Sequence, residues 1–325
     1  DIDVLKSEVS SVDYEYIKSQ KESLLKKASQ AFFYKNTEES EFKKFQSENQ
    51  FWLEDYSLFL SLNKKFKGKM WNTWEKGYKF RERKSIEEAK KEFEEDYKYE
   101  SFIQYYFYKQ WKKLKDYANS KGIKIIGDLP IYVASNSADT WQHPKLFCFD
   151  KHLKIKAVAG CPPDYFSKKG QLWGNVLYDW EAMKKDNYSW WEQRIKHSFL
   201  LYDVLRLDHF RGFASYWAIR YGEKTAINGR WEIGPRIQFF RDLERKVKNI
   251  DIIAEDLGTL TADVFKLLRQ TNYPNMKVLQ FGLTEWDNMY NPKNYTENSV
   301  AYTGTHDNMS MVEWYSTLNK NEKFI

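Results

Sequence analysis

FLLYDVLRLDHF, residues 199–210, is an apolar run broken only by Asp203 and Arg206 before it reaches Asp208. A run this short and this apolar predicts a strand buried on both faces, as the strands of a parallel sheet are. Four more runs share its texture: IKIIGDLP (123–130), IDIIAEDLG (250–258), MKVLQFGL (276–283) and SVAYTGTHD (299–307). Amphipathic segments at 189–198, 236–248 and 261–271 separate the later ones and predict helices. Strand–helix alternation of this kind predicts parallel βα units.

Upstream, residues 1–120 predict a mostly helical region and residues 121–325 the central part of a barrel, within one catalytic domain. The stretch KSIEEAKKEFEEDYKYESFIQYYFYKQWKKLKDYANSKG combines i,i+4 charge pairs with an apolar stripe, and Gly122 is placed to end its helix. Two long stretches, 131–180 and 221–235, show neither period and predict irregular loops. Loops of that length inside a compact domain are usually functional.

The acids decide the chemistry. Asp128, Asp208, Glu255 and Asp307 each stand at the C-terminal end of a predicted strand. In a (β/α)8 TIM barrel those ends converge on one face, where active sites lie. Like charges repel, so gathering four acids there is costly as mere structure. Taken singly, Asp307 also fits a helix cap ahead of NMSMVEW, and Arg206–Asp208 also fits a structural ion pair. Glycoside chemistry explains the set: a retaining enzyme needs an ionised nucleophile and a protonated acid about 5–5.5 Å apart. Arg206 lies two residues before Asp208, so both side chains face the same way along a strand. That cation favours Asp208 as the ionised partner, while Glu255, at the end of IDIIA, is better placed for a raised pKa.

Composition narrows the alternatives. The net charge is +6, from 52 basic and 46 acidic residues, with no compact basic stripe, which argues against nucleic acid. No apolar run approaches the roughly 20 residues that span a bilayer. Two cysteines, Cys148 and Cys161, fit neither a disulfide framework nor a zinc spacing, and the acids show no EF-hand spacing. A reduced, cytoplasmic setting and no metal are the expectations. Aromatic residues are 18% of the chain; flat rings stack on sugar faces, which fits a carbohydrate site, while core packing accounts for most of them.

RLDHFRGFASYWAI, IIAEDLG and YTGTHDN resemble strand-end motifs of the α-amylase clan, and specifically of the 4-α-glucanotransferases (amylomaltases). GDLPIYVASNSADTW, GCPPDYFSKKGQLWGNVLYDW and NGRW (228–231) are similar to further segments of that family, in the family's order over about residues 13–325. The resemblance implies retaining transfer between α-1,4-glucans and maltooligosaccharides, without metal or cofactor. It implies Asp208 as nucleophile, Glu255 as acid/base and Asp307 as the acid that holds the distorted sugar. Arg206, His306 and Asp128 would assist there, and Tyr165, Phe166, Gln171 and Trp173 would line the acceptor side. The chain departs from the family at Asn136, where an acid is usual, and at Lys168 and Lys169, which make that loop more basic. Family members carry further strands before and after this stretch, so the expectation is a fragment with an incomplete barrel. Its rivals are an α-amylase-type hydrolase with the same acids, an inactive glucan-binding fragment, and a barrel enzyme unrelated to sugars.

Overall fold

The computed structural model describes residues 12–35, 38–164, 167–258, 260–283, 288–320 and 322–324. The chain divides into two compact units, Asp1–Leu114 with Asn136–Gln142, and Lys115–Ser135 with His143–Ile325.

The first unit is helical. Helices Tyr14–Lys35, Glu39–Lys65 and Arg83–Glu92 precede helix Glu94–Ser120, whose residues from Lys115 onward belong to the second unit. The charged stretch expected as one helix is two, broken at Phe93. Aromatic rings fill the interior: Phe42 and Tyr105 meet edge to face at 5.6 Å, and Phe32 packs on Phe42 at 5.3 Å. The short segment Asn136–Gln142 completes this core. Its Trp141 is fully buried against Phe59 and Trp74, under the Arg81 guanidinium, and its Nε1 donates to Tyr78 O at 2.9 Å. Asn136 Oδ1 accepts the Trp71 backbone N–H at 3.0 Å, an acceptor role that the family's usual acid would also fill.

Helix Glu94–Ser120 ends as expected at Gly122, whose φ of +74° is the left-handed conformation that glycine adopts without steric cost. Ile123 N–H returns to Ala118 O at 3.0 Å and Gly122 N–H to Asn119 O at 2.9 Å, the paired bonds of a Schellman cap.

The second unit holds the described strands: β1 Ile126–Leu129, β2 Ala157–Cys161, β3 Gln171–Val176, β4 Val204–Leu207, β5 Ser215–Arg220, β6 Arg230–Ile233, β7 Ile252–Ala254, β8 Asn275–Val278 and β9 Ser299–Tyr302. The five predicted strands form one parallel sheet in the order β1-β4-β7-β8-β9. The three central strands are apolar because they lie inside the unit: Leu205, Leu207, Ile252, Ala254 and Val278 are all buried, whereas β9 has no buried residue. Predicted helices follow at Ser189–Leu201, Arg236–Lys246 and Ala262–Thr271. One run is only half strand: after Val278 the chain turns into the helical Leu279–Gly282. Periodicity alone cannot separate those two states in so short an apolar run.

The stretches expected as irregular are partly ordered. β3, β2, β5 and β6 form a second, antiparallel sheet in that order, drawing β2 and β3 from 131–180 and β6 from 221–235. Both β3 and β6 are largely exposed, so they carry no alternation of apolar and polar residues for sequence to betray.

Candidate active site

Three parallel strands bring their acids together. Asp128 lies within β1, Asp208 follows the last residue of β4, and Glu255 follows the last residue of β7. Register aligns Asp128 with Arg206 and Arg206 with Ile253, so the strand ends are level. Arg206 bridges the first two acids: Nη1 donates to Asp128 Oδ1 at 2.7 Å and Nη2 to Asp208 Oδ1 at 3.2 Å. Its Nε faces Met276 Sδ at 3.3 Å, which ties the guanidinium to β8 as well.

Glu255 is the buried member, 8% exposed. Its Oε2 accepts the His209 backbone N–H at 2.7 Å and its Oε1 the Leu257 N–H at 2.8 Å. Burial pushes its pKa up to about 7; the two N–H bonds and Arg206 oppose this, and the Asp208 charge adds to it. Asp208 is also raised, first by burial, then by Asp128 and Asp307, against Arg206 and His306. The Arg206 cation therefore offsets burial at Asp208 without outweighing it.

His306 and Asp307 sit beyond β9 on an exposed turn, His306 Nε2 3.5 Å from Asp307 Oδ2. Their charges reach Asp208, but neither is bonded to the buried acids. Asp307 is not the cap of the next helix. Ser310 takes that position, its hydroxyl accepting Glu313 N–H at 3.3 Å.

The β2–β3 region supplies the flanking ring. Trp173 Nε1 donates to Gln171 Oε1 at 3.0 Å, and its ring meets His209 edge to face at 4.8 Å. Trp173 thus stands one residue from Asp208, with 37% of its surface open. Tyr165 and Phe166 lie outside the described residues.

Two residues escaped the sequence analysis. His209, with φ 51° and ψ 48°, turns the chain sharply after Asp208. Histidine is among the few non-glycine residues enriched in that conformation, which was the available signal. Asp256, 1% exposed, points to the other side of β7 and accepts Met276 N–H at 2.9 Å and Asn275 Nδ2 at 3.1 Å. It replaces ladder bonds where β7 and β8 share a single aligned pair, Ala254 with Asn275. Among the described residues no cluster of three or more His, Cys, Asp or Glu could hold a metal ion.

A family profile described as 4-alpha-glucanotransferase matches residues 1–325. The chain is 48% identical to a 4-alpha-glucanotransferase of Clostridium butyricum over 96% of its own length and 64% of the relative's. It is 43% identical to one from Streptococcus pneumoniae, over 95% of this chain and 61% of that protein. An amylomaltase from Streptococcus agalactiae, solved in complex with acarbose, superimposes with a TM-score of 0.93 at 38% identity, over 96% of this chain and 64% of that one. The chain thus spans less than two thirds of the length of these relatives, and over that span it has the α/β fold of an amylomaltase. On the profile, the relatives and the shared fold, this chain belongs to the 4-alpha-glucanotransferase family.

Proposed function

We propose that the protein is a 4-α-glucanotransferase that moves α-1,4-glucan segments between maltooligosaccharides by a retaining double displacement. The observation that carries this is the contrast between two neighbouring carboxyls. Glu255 is buried with its pKa near 7, so it holds a proton at neutral pH long enough to donate it. Asp208 is less buried and bonded to Arg206, whose charge opposes the rise that burial causes, which makes it the more readily ionised of the two and the one to attack.

In the first step an Asp208 oxygen bonds to the anomeric carbon. The glycosidic C–O bond breaks, and the leaving oxygen takes the Glu255 proton. In the second, the 4-hydroxyl of an acceptor glucan gives its proton to the Glu255 carboxylate and displaces Asp208, restoring the α-bond and both side chains. Asp128 and Arg206 hold the Asp208 carboxylate in place. Asp307 and His306, on their exposed turn, close on the sugar hydroxyls when donor binds. Gln171 and Trp173 offer the acceptor a polar group and a ring face beside His209, and Tyr165 and Phe166 are assigned to the acceptor side on the family resemblance alone. That ring face beside the acids favours transfer to a sugar over hydrolysis by water.

No described helix is long and apolar enough to cross a membrane. Both cysteines are free, with burial pushing each thiol up to about 11, which suits a cytoplasmic setting. We also take residues 1–120 as a helical insertion on the catalytic barrel.

The test is disproportionation of maltotriose by the purified chain, read as longer glucans formed without a rise in reducing ends. D208N should lose at least about a thousandfold in rate while keeping its unfolding transition. E255Q should lose transfer from natural glucans but keep glycosylation by an α-glucosyl fluoride, whose leaving group needs no proton. Growth of reducing ends in step with glucan loss would make the protein a hydrolase, and a folded, active D208N would remove Asp208 from the chemistry.

A further inference from the structure

We propose that His209 is a positioning residue: its left-handed backbone turns two successive N–H groups, its own and that of Phe210, onto Glu255 and fixes that residue beside Asp208. This rests on Glu255 as the acid/base. A strand that simply continued past Asp208 would keep alternating its N–H groups and would not wrap one neighbour. Instead φ is 51° and ψ 48° at His209, and two successive N–H groups turn to the same residue. His209 N–H donates to Glu255 Oε2 at 2.7 Å and Phe210 N–H to Glu255 O at 2.9 Å. Glu255 N–H in turn reaches Leu207 O at 3.0 Å. One peptide unit therefore joins the two acids: its carbonyl side is Asp208 and its N–H side holds Glu255.

The ring has a different partner. It stands edge-on to Trp173 at 4.8 Å, and burial, then Arg211, holds its pKa down to about 3, so it stays neutral throughout the working range. An imidazole that does not ionise adds no charge beside Glu255. Its contribution to that carboxyl is conformational.

Besides the His209 bond, the groups acting on Glu255 are the Leu257 N–H, Asp208 and Arg206 from the β4 side, Cys161 from β2, and Tyr290. Asp256, with Lys277, lies on the β8 side. A substitution at His209 changes none of them. Because the N–H bond favours the ionised carboxyl, misdirecting it leaves burial less opposed, and Glu255 then keeps its proton to higher pH.

The experiment pairs each of the parent, H209G, H209N, H209A and H209V with its E255Q counterpart and follows Tm from pH 4 to 9. The difference within a pair levels off at the pH where folded Glu255 has ionised. That readout needs no substrate, so it answers even if the transferase reading fails on the parent's products. Glycine and asparagine accept the left-handed conformation, and their pairs should level off with the parent, near pH 7. Valine resists it, and its pair should level off on the order of one pH unit higher, with alanine shifted in the same direction. If H209V does not fold, H209A supplies the same comparison. In active protein, kcat for natural glucans should fall with the shift while KM holds. A folded H209V or H209A that levels off with the parent overturns the proposal. So does an H209G pair displaced as far as valine's, because the ring would then be what matters.

Discussion

Glu255 shows how a site residue works against the fold that holds it. Its carboxyl ionises near 4.5 in an unfolded chain and near 7 in the folded one, so the folded state binds the proton more tightly. Between those values stability falls as pH rises, by about 3 kcal/mol for a shift of this size. The loss is complete above pH 7 and absent below pH 4.5. E255Q cannot ionise and escapes it. Its Tm should match or fall below the parent's at pH 4 and exceed it by a few degrees at pH 8, measured by calorimetry. A parent and E255Q that keep a constant Tm difference across that range would mean that Glu255 ionises in the fold as it does in water. The same burial explains why Glu255 was legible in sequence, since IDIIA announces an apolar setting immediately before it. The left-handed turn at His209 was barely legible: histidine's tolerance of that conformation was its one local signal, and the run LRLDHF has no glycine or asparagine to mark a turn.

At the level of elements, the parallel sheet and the antiparallel sheet differ in how they are encoded. β4, β7 and β8 are apolar because they are buried, and four of the five runs that reveal the sheet carry one of the acids proposed for the chemistry. β3 has only Val176 buried and β6 has no buried residue, so pairing, not pattern, makes them strands. The pairing depends on Gly160. A Cβ there would stand 2.1 Å from Gln171 O and 2.6 Å from Ile219 Cδ1, so only glycine lets β3 approach β2. G160A should cost about 1–3 kcal/mol through overpacking. It should also move Gln171 and Trp173 away from His209, raising KM for an acceptor sugar while sparing glycosylation by an activated donor. Unchanged Tm and acceptor KM would show that the two strands tolerate a methyl group between them. The helical predictions fared differently again: i,i+4 charge pairs mark the helices clearly, but not the break at Phe93, where no glycine or proline punctuates the chain.

Across the whole molecule, the helical unit is built from two pieces of sequence that are not adjacent. Asn136–Gln142 belongs to it, although β1 and the residues around it belong to the other unit. Trp141 carries the join, fully buried and bonded through Nε1 to Tyr78 O. W141A should therefore destabilise the unit by about 3–5 kcal/mol, read by urea unfolding followed through helical circular dichroism. An unfolding curve that does not move would mean the unit holds without that ring. The same join has a consequence for the nascent chain on the ribosome. When Leu114 leaves the exit tunnel the helices exist, but the tryptophan that closes their core is still inside the tunnel. At about 5–20 residues per second the wait is roughly one to five seconds, during which Phe59 and Trp74 face water or a chaperone. The helical unit can close only after β1 has emerged, so synthesis order makes the completion of one unit wait on residues of the other.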